Sequence, residues 1–375
     1  MNLIGPVSIL MAAAMAAVAG PIYTLGDLGT LGGPSAMATG VNDQGQAVGT
    51  MLDPYGYMHA FSSTGQLNST ASEAEAAGIN NAGQIAGTQF FNAQAYATVW
   101  NNGVATTLGG AGSFALAIDN SGDVAGMLVN YGQGNAFVTQ NGTVIDLGTF
   151  DGGSWSSAYA LNDQGQAAGY GMIANGVFRG FIWTPGQGYT ALGTLGGFSS
   201  YAMAINSAGE VAGSSQIASC YSHAFVSNGT SMTDLGTLGG VSSYAYGIND
   251  ASNVVGYSWT AGNTTTDGFL QQGGVMFDIN SLLIDAPGWQ VTALYGINNS
   301  NQVVGVGVLD GVEHAVLLTD PPAAEDTTTS ASTPEPAAWI STISGLAVLL
   351  LRKSFIRSVS PLRRRPQGPP PEPPR

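Results

Sequence analysis

The segment Asp234–Gly256 reads DLGTLGGVSSYAYGINDASNVVG, and it holds no obvious catalytic group. Its parts return as DLGTLGGPSAMATGVNDQGQAVG from Asp27 to Gly49 and as LGTLGGFSSYAMAINSAGEVAG from Leu192 to Gly213. Aligning every I-N-x-x-G-x-V-x-G element places Asn42, Asn80, Asp119, Asn162, Asn206, Asn249 and Asn298 in one slot. Gly49, Gly87, Gly126, Gly169, Gly213, Gly256 and Gly305 fall in a second slot, seven residues on. The seven Asn-slot positions are 38, 39, 43, 44, 43 and 49 residues apart, the regular period of a repeat architecture.

Each unit decomposes in the same way. In the fifth, YAMAIN alternates and meets the turn SAGE, where Gly209 supplies a positive φ and Asn206 bonds its own backbone two residues on. VAGSS, SHAFVS and SMTDLG follow as three further strands, and TLGG leads to the next unit. Four short strands in such a period match one propeller blade. One blade cannot bury both faces alone, whereas a ring of them can. The last unit lacks a fourth strand, and IYTLGDLG (Ile22 to Gly29) at the chain start is a spare that would close the circle and remove an exposed edge. The expected fold is therefore all-β, a seven-bladed β-propeller over residues 22–320, with a β-solenoid as the alternative. Phe181, Trp183 and Phe225 are expected between sheets. Ala202, Ala204, Ala212 and the Gly of each V-x-G are expected to allow close approach near a crowded axis.

Charge restricts the partners. Seven of the eight Lys and Arg lie at or beyond Arg352, and Arg179 is the only one before that point, so the body is more acidic than the formal −15. Phosphate neutralisation needs cations, which excludes nucleic acid as a partner. Cys220 is alone, so no intrachain disulfide exists, and it reads as a small buried or half-buried residue.

The two ends differ from the body. Residues 1–19 are apolar, rich in small residues and close on Ala17-Val18-Ala19, the pattern of a secretory signal peptide cut after Ala19. Residues 321–336 are a Pro/Thr/Ser linker, residues 337–351 a short uncharged transmembrane segment, and residues 352–375 a basic, Pro-rich tail. Pro334-Glu335-Pro336, the apolar segment and Arg352-Lys353 together resemble the PEP-CTERM sorting signal of Gram-negative bacteria. This chain departs from that pattern by running 22 residues past Lys353. The resemblance implies a membrane sorting enzyme as partner, a transient inner-membrane anchor, and a mature protein outside that membrane linked to exopolysaccharide or surface layers.

The body is similar to the HAF-repeat family of extracellular repeats, named for a His-Ala-Phe core. His59-Ala60-Phe61 and His223-Ala224-Phe225 show that core. Asn135-Ala136-Phe137, His314-Ala315-Val316, Arg179-Gly180-Phe181, Asp267-Gly268-Phe269 and, most distantly, Tyr96-Ala97-Thr98 are variants. The resemblance brings no catalytic residues with it.

Reactive groups are dispersed by the repeat. All three histidines share one slot, which a ring spreads apart, so they form no three-histidine metal site. They read instead as strand-start residues bonding a neighbouring backbone. Asp27, Asp146, Asp234 and Asp278 share the D-L-G slot and are likewise separated, whereas a glycosidase pair needs carboxylates about 5–9 Å apart. Asp119 and Asp123 could still meet around one hairpin. The turns Asn42-Asp43 and Asn162-Asp163 are where calcium would be held, weakly, and no other cofactor is indicated. No catalytic, cofactor or metal residue is therefore nominated. The expected function is an exported, non-enzymatic surface or matrix module that binds glycan or another envelope component. The alternative is an extracellular polysaccharide hydrolase or lyase. Mass spectrometry of the mature extracellular protein is expected to place its C-terminus near Pro336, and recovery of intact Arg375 there would overturn the sorting reading.

Overall fold

The computed structural model describes residues 20–321, except Leu31, Asn68, Thr70 and Tyr131. Ala19, the motif Pro334-Glu335-Pro336, the apolar segment 337–351 and the tail 352–375 lie outside the described residues. Among the described residues no helix is long and apolar enough to cross a membrane. The chain is all-β, built of four-stranded antiparallel sheets that resemble propeller blades. The fifth unit forms Gly196–Ile205, Val211–Ile217, Ser222–Ser227 and Met232–Asp234, paired in that order. The third and fourth units share one hydrogen-bonded sheet through a single parallel bridge, Gly134 with Trp155.

The chain start completes the last sheet. Tyr23–Gly29 runs antiparallel to Val312–Thr319, with Thr24 opposite Thr319 and Asp27 opposite Val316. Its first residues also pair in parallel with Leu283–Ile284. Tyr23 is fully buried, and its hydroxyl donates to the Asn301 carbonyl at 3.1 Å. Burial pushes its phenol up, with the charge of Asp320 a smaller contributor.

Packing between sheets sets small residues against large ones. Ala204, Ala212 and Ala224 of the fifth unit meet Ala245, Ile248, Val254 and Phe269 of the sixth. Phe181, Phe225 and Phe269 are all fully buried, and Trp183 is half-buried at the edge of its cluster. One cluster joins Val304 and Ala315, late in the chain, to Ala36, Ala38, Ala47 and Phe61 near its start.

Two local rules explain the repeated glycines, and one corrects the sequence reading. A Cβ on Gly213 would run into the Tyr201 carbonyl oxygen of the adjacent strand in its own sheet. A bulge follows directly on that strand, between Ala202 and Ala204. The V-x-G glycine therefore serves its own sheet. Close approach between units falls at a different position: a Cβ on Gly247 would lie 3.3 Å from Gly296 Cα, and one on Gly296 would lie 3.4 Å from Gly40 Cα.

The serine of the G-G-x-S-S stretch links consecutive units. Ser200 Oγ accepts from Gly180 N at 3.1 Å, and Ser243 Oγ accepts from Ala224 N at 2.8 Å. Ser113 and Ser156 bond Ala97 N and Ala136 N in the same way. Each thereby satisfies a backbone donor buried between sheets.

Cys220 is exposed rather than buried, with φ at 68°. It stands at the left-handed position of the Ile217–Tyr221 turn, where the first and fourth units have Gly56 and Gly176. A turn tip faces water, and the local backbone decides that. Replacing Tyr23 with Ala removes a fully buried ring from the closing strand. The expected loss is about 3–5 kcal/mol, read as a fall of roughly 10 °C in a thermal melt. An unchanged melt would show that the strand adds nothing to closure.

Candidate functional site

One end of the inner strands is occupied by the Asn-slot turns. Asn206 Oδ1 accepts from Ala208 N and Glu210 N at 3.1 and 2.9 Å, which closes its own turn. Its Nδ2 donates to Glu210 Oε2 at 2.8 Å and to the Asn249 carbonyl of the next unit at 3.2 Å. The same outward bond runs from Asn42 to Asn80, Asn80 to Asp119, Asn162 to Asn206, Asn249 to Asn298, and from Asn298 back to Asn42. All seven slot residues are buried. The sequence reading had found only the first of these roles.

Asp119 is the exception, because a carboxylate has no N–H with which to reach Asn162. Its Oδ1 accepts from Ser121 N and Asp123 N, so Asp119 and Asp123 do meet around one hairpin, as structural partners. Burial raises the Asp119 carboxyl and the charges of Asp123 and Asp163 add to it, while the two backbone N–H bonds oppose the shift.

A second layer lies just outside. Asp43 N donates to Asn81 Oδ1, Asn81 N to Asn120 Oδ1, and Asn120 N to Asp163 Oδ1, each at 2.9 Å. Asp250 N donates to Asn299 Oδ1 at 3.0 Å, and Asn299 N donates to Asp43 Oδ1 at 2.9 Å. Burial would raise the Asp250 carboxyl, but bonds from Ser207 and Asn299 outweigh it and hold it low. These residues surround a hollow of about 190 Å³. The carboxylates of the two calcium-candidate turns are already engaged: Asp43 accepts from Asn81 Nδ2 and Asp163 from Asn120 Nδ2, both at 2.9 Å. Among the described residues no group of three or more His, Cys, Asp or Glu is arranged to hold a metal ion.

The histidine slot meets the D-L-G slot. His223 Nδ1 lies 2.9 Å from the Asp234 carboxylate, and His314 Nδ1 lies 3.0 Å from Asp27 Oδ1. Asn135 does the same with Asp146 at 3.0 Å. His59 pairs with Asp53 at 3.1 Å, and Gln66 Nε2 approaches its Nδ1 at 2.9 Å. The expectation that these histidines bond backbone is thus corrected: their partners are side chains, on the neighbouring outer strand for His223 and His314 and in the turn before its own strand for His59. Asp27, Asp146 and Asp234 each also accept from the glycine two residues on, and Asp278 accepts from Asn280 N. These carboxylates hold loops and do not converge.

Three residues before the Asn slot, the inner strands of the later units turn largely aromatic. The bulge that disturbs pairing after Ala158, Ala202, Ala245 and Leu294 leaves Tyr159, Met203, Tyr246 and Tyr295 outside the ladder. The corresponding residues of the first three units are Thr39, Ala77 and Leu116, so the aromatic side is confined to the later units. Tyr159 and Tyr170 stack with centroids 4.9 Å apart, their hydroxyls 3.0 Å from each other. Tyr246 packs on Tyr257 at 5.8 Å and on Tyr295 at 5.3 Å, and Tyr244 lies 5.1 Å from Tyr257. Burial raises the phenols of Tyr170, Tyr246, Tyr257 and Tyr295, so all stay protonated donors at neutral pH.

Beside this network lies a groove of about 780 Å³ across the sixth, seventh and first units. Its walls include Tyr244, Tyr257, Trp259, Tyr295, Thr266 and Glu313. On the second unit, Glu73 and Glu75 are half-buried two residues apart, and burial, then Glu73, raises the Glu75 carboxyl. Tyr55 and Tyr57 stand exposed on the Leu52–Met58 turn, and Phe198 and Tyr221 are exposed on the fifth unit. The sequence places the groove aromatics on separate strands of two units. It could not show that Tyr257, Trp259 and Tyr295 join Tyr244 in one groove.

No family model and no curated protein matches the chain. Among solved structures, the β-propeller domain of the Trilobed protease from Pyrococcus furiosus, described as having an open velcro topology, aligns with a TM-score of 0.52 at 12% identity. That alignment covers 80% of this chain and 94% of that domain. TolB from Acinetobacter baumannii aligns at 0.44 and 12% identity over 73% of this chain; it covers 64% of TolB, so this chain spans less than two thirds of that protein. The BP39L lectin from Burkholderia pseudomallei aligns at 0.39 and 8% identity, covering 79% of this chain and 97% of that one. At these identities the likeness is one of fold.

Changing Asp119 to Asn supplies the missing Nδ2 donor. One buried hydrogen bond is worth about 1 kcal/mol, or roughly 2–4 °C in a melt at pH 7–8. The folded-state carboxyl is raised above its unfolded value, so its ionised form penalises folding above the folded pKa. That penalty fades as the pH falls through the folded pKa and is gone below the unfolded value, near 4. The gain from Asp119→Asn is therefore expected to shrink in acid, and an equal gain at both pH values would refute the role given to ionisation.

Proposed function

We propose that this chain is a seven-bladed β-propeller, closed by its N-terminal strand, that acts outside the inner membrane as a non-enzymatic binding or structural module of the envelope or its exopolysaccharide. The seven-unit repeat, the outward Asn bonds that return from Asn298 to Asn42, and the strand Tyr23–Gly29 in the last sheet support the blade count. The leader-like residues 1–19, the PEP-CTERM-like tail and the HAF-repeat likeness of the body support export and sorting. The observation that carries the binding role is the groove walled by Tyr244, Tyr257, Trp259 and Tyr295. Aromatic faces stack on the apolar faces of sugar rings, while neighbouring hydroxyls and a carboxylate fix orientation. A few convergent polar groups on an aromatic wall are what a small-molecule or oligosaccharide site needs.

A second reading, hydrolysis or lysis of polysaccharide, draws on one observation, the half-buried Glu73 and Glu75 with the Glu75 carboxyl raised. A raised carboxyl is the form in which a general acid is held at neutral pH. A glycan array and a reducing-end assay on one sample, with and without calcium, separate the two readings. Saturable binding without new reducing ends is expected. Product formation that disappears in Glu75→Gln would make the protein an enzyme, and an array silent for every glycan would remove the binding role.

A further inference from the structure

We infer that the groove selects glycans carrying free amines, a cationic amino-sugar chain, over neutral or anionic ones; this rests on the glycan-binding reading above. The first argument is charge. Among the described residues Arg179 is the only Lys or Arg, and it lies on Phe178–Thr184 of the fourth unit, away from the groove walls. A sulfate, phosphate or uronate in the groove would meet no cation there, and it would face an acidic body.

The second argument is the chemistry of the wall. Tyr244, Tyr257, Trp259 and Tyr295 come from two neighbouring sheets and line one groove. The faces of such rings carry the negative end of a quadrupole and attract an ammonium group. Tyr257 is partly fixed by its neighbours, with Tyr244 and Tyr246 on it at 5.1 and 5.8 Å, so the rings need little ordering on binding.

The third argument is the one charged side chain on the wall. Glu313 is exposed at the start of Val312–Thr319, and its charge contributes, after burial and Tyr257, to the raised phenol of Tyr295. Carboxylate and tyrosine therefore face the same space. At the far wall Glu73 Oε1 accepts from Met58 N at 3.5 Å, which places a second carboxylate beside a groove-lining residue. An ammonium ion between aromatic faces and a carboxylate gains from both. An N-acetylated amine has no charge and gains from neither.

The test is calorimetric titration of the full chain at moderate salt with a glucosamine hexamer, its fully N-acetylated counterpart, and a uronate oligomer of equal length. The amine form is expected to bind about tenfold more tightly than the acetylated form, and the uronate form not to bind. Glu313→Gln is expected to reduce that preference several-fold, and Tyr257→Leu to remove most of the affinity. Asp151→Asn, an equal loss of charge at an exposed turn on another unit, is expected to change nothing. Equal or tighter binding of the acetylated hexamer would overturn the inference and leave the glycan role standing. A loss in Asp151→Asn equal to that in Glu313→Gln would reduce the effect to bulk charge and overturn it as well. Binding of none of the three, together with a silent array, would remove both.

Discussion

One side-chain amide organises this protein. In each Asn-slot residue but Asp119, Oδ1 closes a tight turn on its own backbone and Nδ2 reaches the carbonyl at the same point of the following unit. The amide is suited to both tasks because it carries an acceptor and two donors in a fixed plane. Buried donors and acceptors must be matched, so each unit depends on its neighbour for a bond that it cannot make alone. Six of the seven steps from unit to unit, Asn298 back to Asn42 included, are thereby joined by a single hydrogen bond, and the step from Asp119 to Asn162 is not.

The rest of the unit follows from that constraint. The inner strands meet tightly at the Asn end, which demands Gly40, Gly247 and Gly296 where two backbones approach, and alanines on the faces between sheets. On the third strand of their units the phenylalanines Phe61, Phe137, Phe181, Phe225 and Phe269 are buried against the neighbouring sheet. The outermost layer is held differently, by His223 with Asp234, His314 with Asp27 and Asn135 with Asp146, where strand edges meet water.

This division of labour leaves one position of each inner strand free to vary. The Asn end uses its polar side chains on the protein itself, down to the carboxylates of Asp43 and Asp163. Three residues before each Asn slot, the residue displaced from the ladder by the inner-strand bulge differs from unit to unit, and Thr39 there donates its hydroxyl to the Ala76 carbonyl of the next unit at 2.8 Å. The displaced residues range from Ala77 and Thr39 to Tyr246 and Tyr295. Variation without loss of scaffold is what a recognition surface requires, and Tyr295 of the tyrosine groove is one of these positions.

The sequence by itself determined the period, the four-strand unit, the tight turn at each Asn and the spare strand from Ile22 to Gly29. Each of these depends on residues close in the chain or on counting equivalent slots. It misplaced three features for one shared reason. The V-x-G glycine, the histidine partners and the exposure of Cys220 depend on what stands opposite in a neighbouring strand or at a turn tip, which spacing along the chain does not report. Only the tertiary structure decided that the Asn amide bridges units, that Asp119 interrupts those bridges, and that Tyr244, Tyr257, Trp259, Tyr295 and Glu313 share one groove. Those residues are spread over dozens of positions and two repeats. They meet because the sixth and seventh units pack side by side, a contact that no single unit encodes.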